Sequence, residues 1–219
     1  MKTLYFCVMI FNSDTAKELA TSLLQINAII LQPNNPFQWA SGWRSPIYCD
    51  NRKTLSYPEI RKYIQQGLSS VVHEYYKGTD IIAGVATAGI PHGMMVADEL
   101  NLPFIYVRST AKKHGKQNII EGHFEENKNV VLIEDLISSG KSSIEAVNSL
   151  KEARLNVKGV CSIFTYGFDA ANINFNNADC KYISLADYES ILKEAIKTDY
   201  IKEKDLEMLN EWRNNPANW

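Results

Sequence analysis

Residues 130–143 read VVLIEDLISSGKSS. They begin with four consecutive apolar residues, Val130, Val131, Leu132 and Ile133. The run is too short for a helix and β-branched enough for a strand buried on both faces, as in a parallel sheet. Two acids, Glu134 and Asp135, follow at the expected end of that strand, on the sheet edge where open α/β folds hold their ligands. Ser138, Ser139, Gly140, Lys141 and Ser142 then make a small, hydroxyl-rich turn leading into an amphipathic segment, residues 144–153. A turn of this kind at a helix N-terminus offers backbone N–H groups, Ser hydroxyls and the positive end of the helix dipole, all of which suit a phosphate. The acids suit a diol or a metal ion instead. Acceptors for sugar hydroxyls beside donors for a phosphate together describe a ribose 5-phosphate.

Two other readings fit parts of the stretch. Gly140, Lys141 and Ser142 match the end of a Walker A loop, but that pattern needs a glycine five residues before Gly140, where this chain has Asp135. A buried strand whose trailing acids merely cap the next element fits the residues as well, and pattern alone leaves it open.

The chain has 219 residues, enough for one α/β domain with a full core. Its 45% hydrophobic and 22% charged residues are ordinary for a soluble globular protein, and neither disorder nor a transmembrane span is indicated. A net charge of −2 supplies no field to attract nucleic acid, so anion binding must come from local clusters. Cys7, Cys49, Cys161 and Cys180 show neither a C-x-x-C pair nor metal-ligand spacing, which points to a reduced, cytoplasmic protein. Residues 4–11 are apolar but lack a small-residue cleavage site, so they are expected to be a leading strand or extra residues ahead of Met9.

From the N-terminus, Thr15 and Glu18 form a capping box for a helix whose apolar positions are Ala16, Leu19, Ala20, Leu23 and Leu24. After a turn at residues 33–36, residues 37–52 pack aromatics, two arginines and a Ser-Gly turn into an irregular, partly extended stretch. A hairpin with packed aromatics and solvated arginines is the plain reading. Ser56 and Glu59 predict a second capping box around Pro58, opening a long helix striped by Ile60, Ile64, Leu68, Val71, Val72 and Tyr75. Residues 80–84 predict a strand, and the small residues 85–93 a loop able to approach an anion closely, with Pro91 at a helix start. Residues 94–100 complete that helix, and residues 103–107 form the next strand. Strand, helix, strand, helix is the pattern of a parallel sheet with crossover helices.

Residues 108–122 have no periodicity and hold Arg108, Lys112, Lys113, His114 and Lys116. A loop this long is either functional or disordered. Residues 159–166 and 182–185 read as further strands, and residues 186–197 and 204–213 as polar-faced helices. His73, His92 and His123 lack metal-ligand spacing and read as structural.

The central stretch resembles the PRPP (5-phosphoribosyl 1-pyrophosphate) signature of type I phosphoribosyltransferases, and the chain from about residue 15 onward resembles the orotate phosphoribosyltransferase family. Residues 37–52 resemble the family's hood over the base, with Ser41, Gly42, Ser45, Pro46 and Tyr48 in place. Residues 84–93 resemble its pyrophosphate loop, and Arg108, Lys112 and His114 match its mobile catalytic loop. The resemblance implies an α/β type I phosphoribosyltransferase fold, a central parallel sheet flanked by helices with a small N-terminal hood. A single domain is expected across 1–219, with the hood at about 15–55, the PRPP-binding core at about 56–185 and C-terminal helices at 186–219.

The resemblance also implies transfer of ribose 5-phosphate from PRPP to orotate in pyrimidine synthesis. It assigns catalysis to Arg108, Lys112 and His114. PRPP is expected on these three and on Glu134, Asp135, Leu136, Ile137, Ser138, Ser139, Gly140, Lys141 and Ser142, with Thr87, Ala88 and Gly89 as the pyrophosphate loop. Orotate is expected on Ser138, Arg44, Ser41 and Gly42. Mg²⁺ is expected to be held through PRPP and water rather than directly by the protein. The implied assembly is a homodimer whose mobile loop reaches the neighbouring site, with no nucleic-acid or membrane partner. Ala40 and Ala88 stand where many members have lysines, as in a branch carrying Trp-Ala-Ser-Gly and Ala-Thr-Ala-Gly, and residues 109–111 lack a further lysine. Two alternatives remain: transfer to another base, against which the hood match speaks, and a PRPP-sensing regulator, which could lose the loop cations retained here.

Overall fold

The computed structural model describes residues 9–39, 42–109 and 119–219. Along the chain run β1 (Met9–Ile10), α1 (Ser13–Gln25), β2 (Ile29–Leu31), β3 (Phe37–Gln38), β4 (Arg44–Ser45), β5 (Ile47–Cys49), α2 (Pro58–Tyr75), β6 (Ile81–Val85), α3 (Gly89–Leu100) and β7 (Phe104–Val107). They continue as β8 (Ile120–Glu121), β9 (Asn129–Ile137), α4 (Lys141–Glu152), β10 (Asn156–Thr165), α5 (Asp169–Asn177), β11 (Tyr182–Asp187), α6 (Tyr188–Lys197) and α7 (Leu206–Asn214).

Seven strands form the main sheet in the order β1-β11-β10-β9-β6-β7-β8, parallel throughout except for β8, which runs antiparallel to β7. The core lies on both faces because the strands alternate between them. Ile82, Val131 and Ile133 pack with α1, α2, α3 and α6 on one side. Ile81, Ala83, Val85, Val130 and Leu132 pack with α4 and α5 on the other. Continuous apolar runs such as residues 130–133 are therefore required, as expected of a doubly covered parallel sheet.

Several expectations change. The strand containing Val130 does not end at Ile133 but continues to Ile137, because β10 pairs with it as far as Thr165↔Ile137. Both acids thus lie inside β9. The first helix starts earlier than the capping box placed it: Asn12 is the N-cap, accepting from the Thr15 N–H at 2.8 Å. Ser56 belongs to a 3₁₀ turn, Asn51–Ser56, and α2 starts at Pro58 without a side-chain cap. Met9 and Ile10 form an edge strand on β11, whereas residues 4–8 and Cys7 lie outside the described residues. β8 emerges from the stretch without periodicity, and α5 was not anticipated at all. The hood is two antiparallel pairs, β2 with β5 and β3 with β4, close to the plain hairpin reading.

Candidate active site

Chain direction across the sheet reverses between β6 and β9, since β7 lies outward on one side and β10 and β11 on the other. In open α/β sheets the crevice outside the carboxyl ends of the strands at such a reversal is where ligands bind. Each of the two strands leads into a helix with no side-chain cap: α3 after Ala88, and α4 after Gly140. Their first N–H groups and dipoles are left for a ligand. α1 and α6 are closed by the side chains of Asn12 and Asp187, while α2, α5 and α7 also lack a side-chain cap, so it is the place of α3 and α4 at the reversal that marks them.

The loop before α4 is held from behind. Gly140 adopts φ 74°, and a Cβ there would meet the Phe175 ring at 2.7 Å, so only glycine fits the turn. Asn174 Nδ2 donates to the Ser139 carbonyl at 2.9 Å. Ser138 and Ser139 are half-buried, while Lys141 and Ser142 are exposed. The loop before α3 differs from expectation. The glycines there bring protein against protein rather than backbone against ligand: a Cβ on Gly89 would lie 2.5 Å from the Ile133 carbonyl oxygen, and one on Gly93 2.8 Å from the Phe104 ring. Thr87 is exposed and Ala88 half-buried, so these two form the accessible part of the loop.

Glu134 and Asp135 face opposite ways, as consecutive strand residues must. Glu134 is 4% exposed and accepts from Ser143 Oγ of α4 at 3.1 Å. Burial, reinforced by the neighbouring Asp135 charge, pushes its carboxyl well above the usual range. Asp135 is half-buried beneath the hood, where its charge is felt by the Cys49 thiol, Arg52 and the Tyr166 hydroxyl. Burial raises its carboxyl too, opposed by hydrogen bonds and Arg52. Fully buried Asn51 ties hood to sheet at this point, its Nδ2 donating to the Asp135 carbonyl at 2.7 Å.

Two clefts flank the Ser138–Ser142 turn. One, about 320 Å³, runs between α4 and the ends of β6 and β7, lined by Ala86, Arg108, Ser109 and Ser142. In it Arg108 Nη1 contacts Glu121 Oε1 at 3.4 Å, so its cation is already partnered within the protein. The other, about 310 Å³, opens beneath the hood and is lined by Trp43, Ser138, Ser139, Gly167 and Arg213. A larger cleft, about 420 Å³ between α1 and α6, holds none of the expected site residues.

The structure therefore brings Thr87, Ala88, Gly89, Arg108, Glu134, Asp135 and the residues 138–142 to one sheet edge. Lys112, His114 and Ser41 lie outside the described residues. Gly42 sits at φ 86° in the exposed hood turn. Arg44 is exposed, its guanidinium 5.7 Å from the Trp219 ring centroid, while its carbonyl accepts from Trp212 Nε1 at 3.1 Å. Tyr166 and Trp39 pack with Trp212. The sequence reading passed over Asn51 and Arg213. Asn51 carried no signal, but a Trp-Arg pair ending an otherwise polar helix was visible.

Among the described residues no three His, Cys, Asp or Glu side chains converge as a metal cage. Of the two acids of β9 only Asp135 is accessible, so the described residues fit a hard divalent cation held through substrate and water rather than in a protein cage.

Residues 54–189 match the phosphoribosyl transferase domain. The orotate phosphoribosyltransferase of Cytophaga hutchinsonii is 51% identical over 203 residues, 93% of this chain and 97% of that protein. Among solved structures, the orotate phosphoribosyltransferase from Aeropyrum pernix aligns with a TM-score of 0.73 at 26% identity, covering 84% of this chain and 99% of that one. Leishmania donovani UMP synthase aligns with a TM-score of 0.77 at 25% identity over 95% of this chain, which spans 43% of that longer chain.

Proposed function

The chain belongs to the phosphoribosyl transferase family and, within it, to the orotate phosphoribosyltransferases, and we propose the following division of labour for its reaction. It has the type I fold and transfers the ribose 5-phosphate of PRPP to N1 of orotate, giving orotidine 5′-phosphate and pyrophosphate on the way to UMP. The observation that carries the site assignment is the pair of uncapped helix N-termini at the chain reversal, with the acids of β9 between them.

The α4 N-terminus and Ser138, Ser139, Gly140, Lys141 and Ser142 hold the 5-phosphate, while Thr87, Ala88 and Gly89 at the α3 N-terminus receive the pyrophosphate. Asp135, with buried Glu134 behind it, meets the ribose hydroxyls, and Leu136 and Ile137 form the floor beside it. Mg²⁺, held through PRPP and water rather than directly by the protein, would supply further positive charge against the departing pyrophosphate. The bond from C1 to pyrophosphate loosens ahead of attack by orotate N1, leaving positive charge on the sugar and extra negative charge on the leaving group. Arg108, released from Glu121, and Lys112 neutralise that charge; His114 donates to pyrophosphate or passes a proton. Closure of the loop excludes water from the oxocarbenium-like sugar. Ser138, Ser41 and Gly42 surround orotate.

The working form is a cytoplasmic homodimer in which the loop of one subunit reaches the site of the other, with neither nucleic acid nor membrane as partner. No helix among the described residues is long and apolar enough to cross a membrane. Kinetics of Arg108→Ala and Lys112→Ala test the loop: turnover should fall by more than PRPP affinity does, and unchanged rates in both would remove the assignment. Mixing Lys112→Ala with Asp135→Asn chains should restore about a quarter of wild-type activity if sites are shared, because half of random dimers are hybrids with one intact site. No recovery would mean that each subunit closes its own site.

A further inference from the structure

The cleft beneath the hood joins the phosphate turn, through Ser138 and Ser139, to the hood, through Trp43, and to the carboxyl end of β10, through Gly167. Arg213, at the end of α7, is the one cation among the described residues that line it. Its position is set by main chain: Nε donates to the Tyr166 carbonyl at 3.2 Å and Nη2 to the Gly167 carbonyl at 3.3 Å. Two neutral acceptors orient the guanidinium, and the Glu189 carboxylate feels its charge without reaching ion-pair distance. Asp169 lines the same cleft, yet Arg213 forms no ion pair with any carboxylate among the described residues.

A guanidinium prepaid in orientation, with N–H groups to spare and an indole wall opposite, is suited to a planar anionic ring carrying a carboxylate. Trp43 is braced for that role, its ring stacked on Trp39 at 6.5 Å between centroids. Arg44, the hood cation expected for this task, turns instead onto Trp219. The matched family region ends at residue 189, so Arg213 lies outside it.

We propose that Arg213 is the residue that selects the carboxylate-bearing base, binding the carboxylate of orotate in the cleft between hood and phosphate turn. This rests on the orotate-transfer reading. It places a specificity determinant in the C-terminal helix, which reaches the site only because Trp212 anchors α7 beneath the hood.

Arg213→Gln, Arg213→Lys and Arg44→Gln are to be compared with the wild-type enzyme by the KM for orotate, the KM for PRPP, and the inhibition constant of the neutral 6-carboxamide of uracil. For Arg213→Gln the orotate KM should rise about ten- to a hundred-fold, the range for losing a hydrogen bond to a charged group. PRPP KM and carboxamide inhibition should stay within about two-fold, because neither depends on the lost charge pair. Arg213→Lys, which keeps charge but not the fork, should show a smaller rise in orotate KM with carboxamide inhibition again unchanged. Arg44→Gln should leave the orotate preference intact. Equal weakening of orotate and carboxamide in both Arg213 variants would show a merely structural role and overturn the proposal, as would a rise confined to PRPP or loss of the preference in Arg44→Gln. A wild-type enzyme that consumes PRPP with a base other than orotate would instead overturn the function reading on which the proposal rests.

Discussion

His92 sits in α3, fully buried, with neither ring nitrogen hydrogen-bonded among the described residues. Burial lowers its pKa from 6.5 to about 4, so the folded state resists a proton that the unfolded chain accepts below 6.5. The protonation penalty is therefore absent above pH 6.5, and stability drains away as pH falls from there through about 4. The loss attributable to this group is on the order of 3 kcal/mol. Urea unfolding of wild type and His92→Met between pH 8 and 4 should show the wild type losing that much more than the variant; parallel curves would contradict it. Of the site residues, those named by a local pattern, the β9 acids and the Ser-Gly turn, were legible because their chemistry is contiguous in sequence. Which acid is buried was not, since it depends on α4 bringing Ser143 against Glu134. The glycines before α3 were legible as close-approach positions, but what approaches them, Ile133 and Phe104, comes from distant elements.

Among the elements, α7 carries more than a polar-faced terminal helix would suggest. Trp212 is 0% exposed and meets Trp39, Tyr166, Phe168 and Tyr188 at ring-centroid distances of 5.5 to 5.8 Å. Its Nε1 also donates to the hood at Arg44. Trp212→Ala should cost about 3–5 kcal/mol by the rule for large buried aromatics, and it should raise the orotate KM because hood and Arg213 lose a common support. Denaturant unfolding and steady-state kinetics check both parts; a loss under about 1 kcal/mol would contradict the anchoring role. Helices with a clear apolar stripe, α1 and α2, were legible, but their starts were not. At α1 the capping-box pattern pointed to Thr15, whereas the cap is Asn12, whose backbone is extended at φ −163°. α5 was missed because its inward positions, Ala171 and Phe175, make a weak stripe. β9 outran its apolar run because pairing with β10, not hydrophobicity, extends it.

At the scale of the molecule, alternation of strands and helices made a parallel α/β sheet legible, yet strand order was not in any local pattern. It follows from pairing, which sets β9 between β6 and β10 and so brings two loops some fifty residues apart to one edge. The hood and the C-terminal helix, from opposite ends of the chain, close the third side through Asn51, Trp212 and Arg213. Contacts of such sequence separation leave no periodic trace, and the hood's role was legible only through its resemblance to a known family. The most direct test is the loss of orotate absorbance on mixing the purified protein with orotate, PRPP and Mg²⁺, with uracil and hypoxanthine in parallel. Orotate alone should be consumed, and only with both PRPP and Mg²⁺ present; PRPP binding without consumption of any base, or consumption of uracil or hypoxanthine in place of orotate, would contradict the account.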